Sequence, residues 1–466
     1  MKPALFPLLA ALVLAGCASV PALDERALPA TPPAFKSAAA PEAQAGWALV
    51  PPADAEPRGD WWRVFGDATL DTLVSRALEG NTGLQSAAAR LAQARALLRG
   101  AEAERLPRVD LGAGATRATR PGEGPAAATR LSAGLNLAYE LDLAGRLAQG
   151  RDAAALDAQS REALLQSARL LVQAEVAQTY LALRFADQER RLVRDTVAAY
   201  RETLVLTERR YRAGDVAELD LARVQAEVAA TEAEALALER RRVELENALA
   251  ALLGEPASGF RLAEADGPVL LPRIPAGLPS AALARRPDVA AAQRGLLAAQ
   301  ARLGVAQAAW FPRLALSASG GGASAELGDV LRWSARAWSL EALLSLPLWD
   351  GGRRQAGVDG ARAGLALALA DYREQLLQAL REVEDALAGL QLLERQAQVQ
   401  AQAVQAAARA TALSDSRYRN GLVSQLDLLD ARRSELRNRR AALQLRAAQY
   451  QATVGLVRAL GGGWAG

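Results

Sequence analysis

A mainly helical chain, made of two tandem copies of one unit that each carry two strands and a long helical hairpin, is the fold class the sequence predicts. Three observations predict it. The composition is rich in Ala, Leu, Arg, Glu and Gln, with aromatic residues only 5% of the 466, a bias toward strong helix formers. Landmarks recur at a nearly constant offset across the chain. The apolar spacing switches between period two and a three-four alternation.

The landmarks establish the duplication. Leu106-Pro107-Arg108-Val109 returns as Phe311-Pro312-Arg313-Leu314, an offset of 205 (312 − 107). Ala144-Gly145-Arg146 returns as Gly351-Gly352-Arg353, an offset of 207 (352 − 145). Arg210-Tyr211-Arg212-Ala213-Gly214 with Leu219-Asp220-Leu221 matches Arg417-Tyr418-Arg419-Asn420-Gly421 with Leu426-Asp427-Leu428, again 207 apart (421 − 214). Leu252-Leu253-Gly254 closes the first copy much as Ala459-Leu460-Gly461 closes the second. A repeat of this kind decides the fold before any local reading does.

In chain order the first element is an export signal. Lys2 gives a positive start, Ala4 to Val13 an apolar stretch, and Leu14-Ala15-Gly16-Cys17 the pattern of a lipobox. Residues 1–16 are read as the signal peptide, Cys17 as the lipidation site, and 17–59 as a lipidated linker. Ala18, in place of Asp, favours outer-membrane sorting by resemblance to bacterial lipoproteins. The first repeat spans 60–258, an inter-repeat linker 259–278, and the second repeat 279–466.

Each repeat opens with a helix, from about Leu70 to Glu104 and from Pro287 to Trp310. Pro287 suits a first helical position, and Pro107 and Pro312 end these helices. Strand-like alternation follows. Val109, Leu111, Ala113 and Ala115 point one way, and Leu131 to Tyr139 resume the alternation after a Gly/Pro-rich loop around Pro121 to Pro125. In the second copy Leu314, Leu316 and Ala318 precede a loop at Gly320-Gly321-Gly322, then Leu340 to Leu348. Four strands of this length suit a membrane barrel, yet four cannot close one around a channel, so several chains must share it.

Two long helices complete each copy, joined by tight turns at Gly214 and Gly421. The first of each pair runs from about Leu147 to Arg212 and from about Gln355 to Arg419, on the order of 100 Å of helix. Leu221, Val224, Val228, Thr231, Ala235, Leu238, Arg242, Leu245, Leu249 and Leu252 alternate threes and fours, with Arg242 the one charge intruding. That is heptad spacing and predicts antiparallel coiled-coil packing.

Composition also excludes. The chain has no histidine, one methionine and one cysteine, so a His-based metal site, a His base and an intrachain disulfide are ruled out. No apolar run beyond the signal is long enough for a spanning helix. The 55 basic and 52 acidic residues, net +3, are spread evenly and form no nucleic-acid footprint.

Strand pairs and very long helical hairpins, duplicated behind a lipobox, resemble the TolC family of outer-membrane channels. The residues that carry the resemblance are Asp60-Trp61-Trp62-Arg63-Val64-Phe65-Gly66-Asp67, Arg286-Pro287-Asp288-Val289, the two Tyr-x-x-Gly-x-x-x-x-Leu-Asp turns, and Ala459-Leu460-Gly461-Gly462-Gly463-Trp464. The last points to the lipid-anchored branch that serves resistance-nodulation-division pumps. The resemblance implies a homotrimer closing a twelve-stranded β-barrel in the outer membrane, with a periplasmic α-barrel below it. It implies partners too: a periplasmic adaptor, an inner-membrane pump and outer-membrane lipid, but no nucleic acid. It implies small-molecule efflux, no enzyme activity, and no cofactor beyond the covalent lipid on Cys17.

The resemblance places a pore gate at Leu426, Asp427 and Asp430, where crowded carboxylates would make a cation-sensitive constriction with some raised pKa values. Spacing alone equally allows Asp427 and Asp430 a solvated helix face near a helix start. By the same resemblance Asp220 pairs with Tyr418 across the two hairpins, and Gly214 and Gly421 supply the turns. Relatives place an arginine where Val423 stands here, so that contact is absent or moved. Trp61 and Trp62 suit either a membrane interface or packing on helices, and packing is expected. The competing readings are a type I protein-secretion conduit and a lipid-anchored coiled-coil adaptor or scaffold, the latter without a role for two strand pairs.

Overall fold

The computed structural model describes residues 32–36, 59–119, 127–264, 270–272, 274 and 279–463. The signal 1–16, Cys17, the loop around Pro121 to Pro125, most of the linker 17–59, part of the linker 259–278 and Trp464 lie outside them. After a 3-10 turn at Trp61–Phe65 come α1 (Ala68–Gly80), α2 (Thr82–Ala103), β1 (Arg108–Ala118), β2 (Ala128–Leu141), α3 (Arg146–Arg212) and α4 (Glu218–Leu253). The second copy has α5 (Pro279–Arg285), α6 (Pro287–Ala308), β3 (Arg313–Ser324), β4 (Arg336–Ser345), α7 (Arg353–Arg419) and α8 (Gln425–Ala459). The long helices α3 and α7 each have 67 residues. None of the described helices is long and apolar enough to cross a membrane. The chain divides into two compact units that cut across the repeats, so each unit draws on both copies.

Two elements differ from expectation. The single helix expected over Leu70 to Glu104 is two helices, broken at Asn81, whose backbone is extended. Asn81 donates through its side-chain amide to the Leu252 carbonyl at 2.8 Å and accepts from the Leu84 N–H at 3.1 Å. It thus closes one helix end and caps the next. Gly80 must be a glycine here, since an added Cβ would lie 2.3 Å from the Leu253 carbonyl oxygen. The second difference is that Gly320, Gly321 and Gly322 belong to β3, not to a loop. A Cβ on Gly321 would lie 2.2 Å from the Ala133 carbonyl oxygen, so backbone approaches backbone there. Strand β4 also starts earlier than expected and stops at Ser345, before Pro347.

One unit, residues 89–162 and 291–375, carries an antiparallel sheet in the order β1-β2-β3-β4. Register aligns Leu111, Leu135, Gly320 and Trp338 across the four strands, and Val109, Leu137, Ala318 and Leu340 in the next row of the same face. Side chains alternate along a strand, so the other face carries Asp110, Asn136, Ser319 and Ser339. The apolar face is bare: Leu111, Trp338 and Leu340 are 80%, 79% and 77% exposed. Among the described residues β1 and β4 are open edges.

The other unit, residues 30–88, 163–290 and 376–466, holds the main core. Trp61, Trp62 and Phe65 pack with Leu70, Tyr180, Leu249 and Tyr450, all nearly or fully buried, at roughly 1.5–3 kcal/mol per large apolar side chain. Trp61 also donates to Gln173 at 3.0 Å, so the tryptophans pack as expected. The heptad seam of α4 buries Val224, Val228, Thr231, Leu245 and Leu249. Its intruding Arg242 is accounted for: it reaches the fully buried Asp187 of α3 at 2.8 Å and the Leu262 carbonyl at 2.6 Å.

Candidate functional site

The turns α3–α4 and α7–α8 lie in this second unit and repeat one backbone design. Gly214 and Gly421 sit at φ of 82° and 71°, the left-handed region where a side chain is strained. Gly214 donates to the Tyr211 carbonyl and Asp215 to that of Arg210; Gly421 donates to Tyr418 and Leu422 to Arg417. Each pair satisfies carbonyls that a helix end would otherwise leave bare.

Beyond the second turn, the faces of α8 divide sharply. Gln425, Leu428 and Leu429 are buried, and Arg432 continues the same stripe one turn later. Leu426, Asp427 and Asp430 are exposed. Leu429 packs with Tyr200, Val224 and Val228 of the first hairpin. Gln425 donates to the buried Thr207 of α3 at 2.6 Å. Arg432 donates to Thr203 at 2.6 Å and to the Ala199 carbonyl at 3.3 Å, and pairs with Asp415 of α7 at 3.0 Å. Arg433 pairs with Glu227 of α4, and Arg440 with Glu189 and Glu234, both at 2.8 Å. Burial, and the Glu227 carboxylate nearby, push the Tyr200 hydroxyl well above its usual range.

The three gate residues do not share one environment. Asp427 closes a capping box on α8. Its carboxylate accepts from the Ser424 N–H at 2.9 Å and hydroxyl at 2.6 Å, and its own N–H donates to the Ser424 hydroxyl oxygen at 3.2 Å. Those donors hold the Asp427 carboxyl below the usual range, so within one chain the shift runs opposite to that expected for a crowded ring. Asp430 is open to solvent and lies 3.5 Å from Arg433. Leu426 is 39% exposed, between the buried Gln425 and the exposed Asp427.

The expected Tyr418–Asp220 bond is not made within the chain. Tyr418 is buried, its hydroxyl donates to Gln425 at 3.4 Å, and the Arg210 guanidinium lies 5.0 Å from the centre of its ring. Asp220 pairs with Arg223 at 3.6 Å, one turn along α4. The reason is local: a cation three residues away on the same helix face is nearer than the other hairpin. Arg223 is the repeat counterpart of Asp430 (430 − 223 = 207), so an Asp–Arg pair stands in the first hairpin where the second has two aspartates.

Sequence reasoning missed the contacts between the hairpins. A signal existed: Gln425 and Arg432 fall on the seam spacing of α8, and Thr203 and Thr207 on that of α3, so polar groups facing one another were readable.

A model of the outer membrane efflux protein family matches residues 73–255 and 278–462. The chain belongs to this family. It is 34% identical to the pyoverdine export outer membrane protein OpmQ of Pseudomonas aeruginosa, over 98% of this chain and 96% of that one. It is also 34% identical to the outer membrane protein OprJ of the same organism, over 98% and 95%. The solved structure of the outer-membrane channel OprN superposes with a TM-score of 0.85 at 32% identity, over 96% of this chain and all of OprN. The protein is therefore a TolC-family channel of the outer membrane and a component of an efflux system. In this channel the repeats supply the strands and hairpins, and the second turn supplies the acidic face.

Proposed function

We propose that three copies of this chain close one twelve-stranded barrel in the outer membrane, and that their hairpins line a periplasmic duct narrowed by Leu426, Asp427 and Asp430. The observation that carries this reading is the sheet: one face continuously apolar and exposed, the other small and polar, both edges open. In lipid every backbone group must be paired, so an open four-strand sheet has to be completed by others. The apolar face then meets lipid and the polar face lines water. The solute is a small molecule, as the pyoverdine exported through OpmQ suggests. It moves passively, and the chain does no chemistry of its own. A periplasmic adaptor and an inner-membrane resistance-nodulation-division pump deliver the solute, and a lipid on Cys17 adds a second anchor.

Conductance of the full-length protein in planar bilayers tests the gate. Asp427→Ala/Asp430→Ala is expected to raise a small conductance and abolish block by divalent cations. Since Asp427 also caps α8, Asp430→Ala alone isolates the charge at the constriction. An unchanged conductance in all variants would remove the gate, and no conductance from folded protein would favour a scaffold. Mass spectrometry of the mature N-terminus tests the lipid.

A further inference from the structure

Residues two apart on a helix point nearly opposite ways, because each step turns about 100°. Asp430 and Arg432 therefore occupy opposed sides of α8. Asp430 is on the open side with Leu426 and Asp427, and Arg432 is on the side that meets the first hairpin. Whatever holds Arg432 also sets the rotation of α8 about its own axis, and with it the direction in which the acidic face looks.

Arg432 is unusually well held. Its guanidinium joins three helices at once: α8, which carries it; α3, through the Thr203 hydroxyl and the Ala199 carbonyl; and α7, through Asp415. Thr203 is buried and its hydroxyl hydrogen is committed to the Ala199 carbonyl at 2.9 Å, so the lone pairs of its oxygen are left for Arg432. Asp415 is shared with Arg419 at 2.7 Å, the last residue of α7 before the turn. The planar fork of arginine matches three acceptors in fixed directions, which a lysine cannot do. Below it Gln425–Thr207, and beside it Leu429 among Tyr200, Val224 and Val228, hold the same face. The polar contacts all fix direction, whereas the apolar ones tolerate sliding.

We propose that Arg432 is a positioning residue for the gate, pinning α8 to the first hairpin so that Leu426, Asp427 and Asp430 keep the orientation of the closed constriction. This rests on the gate reading above. Removing the guanidinium frees α8 to turn and to shift away from α3, and the constriction widens without loss of any gate residue.

The test is planar-bilayer conductance of the full-length protein carrying Arg432→Ala, Arg432→Lys, Thr203→Val, or Thr203→Val with Arg432→Ala, beside Asp430→Ala. Arg432→Ala is expected to raise conductance severalfold, Thr203→Val less, and Arg432→Lys to restore part of the difference. The double variant should conduct no more than Arg432→Ala alone, the non-additivity that marks a shared contact. A merely structural role would lower the melting temperature of every variant and leave the conductance of the assembled channel alone. Wild-type conductance in Arg432→Ala, with Asp430→Ala raised, overturns the proposal and keeps the gate. Wild-type conductance in both overturns the two together. Should Arg432→Ala fail to fold, the near-isosteric Thr203→Val decides by the same criterion.

Discussion

Asn81 and Arg286 hold equivalent carbonyls in the two repeats: Asn81 donates to Leu252 at 2.8 Å, and Arg286 donates to Ala459, 207 positions on (459 − 252), at 3.1 Å. Each ties the end of a hairpin to the start of the helix that precedes the strands. The chemistry differs, however. Asn81 brings a neutral amide, whereas Arg286 is a buried cation that also pairs with Asp288 at 2.6 Å and Glu382 at 2.8 Å.

That difference predicts unequal costs. Arg286→Ala leaves two partly buried carboxylates facing one another and should destabilise the protein by roughly 3–5 kcal/mol. Asn81→Ala removes two neutral hydrogen bonds, to the Leu252 carbonyl and from the Leu84 N–H, and should cost about 1–3 kcal/mol. Urea unfolding of detergent-solubilised protein measures both, and equal costs would show that the charge adds nothing.

Ser424→Ala should cost about 1 kcal/mol at neutral pH, felt locally at the first turn of α8. The pH dependence has a definite sign. The Asp427 pKa lies below its unfolded value, so its contribution is present above the unfolded pKa and is lost as pH falls through the folded one. The gap between wild type and Ser424→Ala should therefore narrow on acidification. Hydrogen exchange at residues 425–428, followed against pH, reads it directly.

Leu340→Arg places a charge on the apolar face of the sheet and should cost on the order of 2–4 kcal/mol if that residue sits at mid-membrane. Ser339→Arg, one position away on the opposite face, should assemble normally. The fraction of each variant recovered in outer-membrane vesicles compares them, and equal recovery would reject the assignment of faces.

Asp187→Ala should cost about 1.5–3 kcal/mol by removing the charged acceptor of Arg242. Arg242 retains Glu246 at 3.4 Å and the Leu262 carbonyl. Arg242→Met, which fills the seam and removes the charge, would instead leave the buried Asp187 with the more distant Arg190, at 3.2 Å, and is expected to be the worse of the two. Thermal melting ranks them.

Much of this fold was legible because its signals are periodic and duplicated. The long helices begin and end within two residues of the positions expected from heptad spacing and the Gly turns, and the strand pairs follow from period-two alternation. What stayed hidden depends on contacts distant in sequence. Asn81 breaks a helix because of Leu252, and Gly321 stays in a strand because of Ala133; neither neighbour can be inferred locally. At the site, the acidic residues were visible but not their partners. The resemblance puts Asp427 in a ring, yet Ser424 also engages it, and the sequence does not pair Arg432 with Thr203 and Asp415.

The pairing of Asp220 with Arg223, set against Asp427 beside Asp430, carries a further meaning. A duplicated chain begins with two equal hairpins, so any feature of one is also a feature of the other. The copies have since diverged in charge: the first turn carries Asp215 and Glu218 where the second has Leu422 and Gln425, and Arg223 where the second has Asp430. The charges that distinguish them fall in different places, at the entry to α4 in one copy and further along α8 in the other, so one duplicated chain carries two unlike hairpin ends.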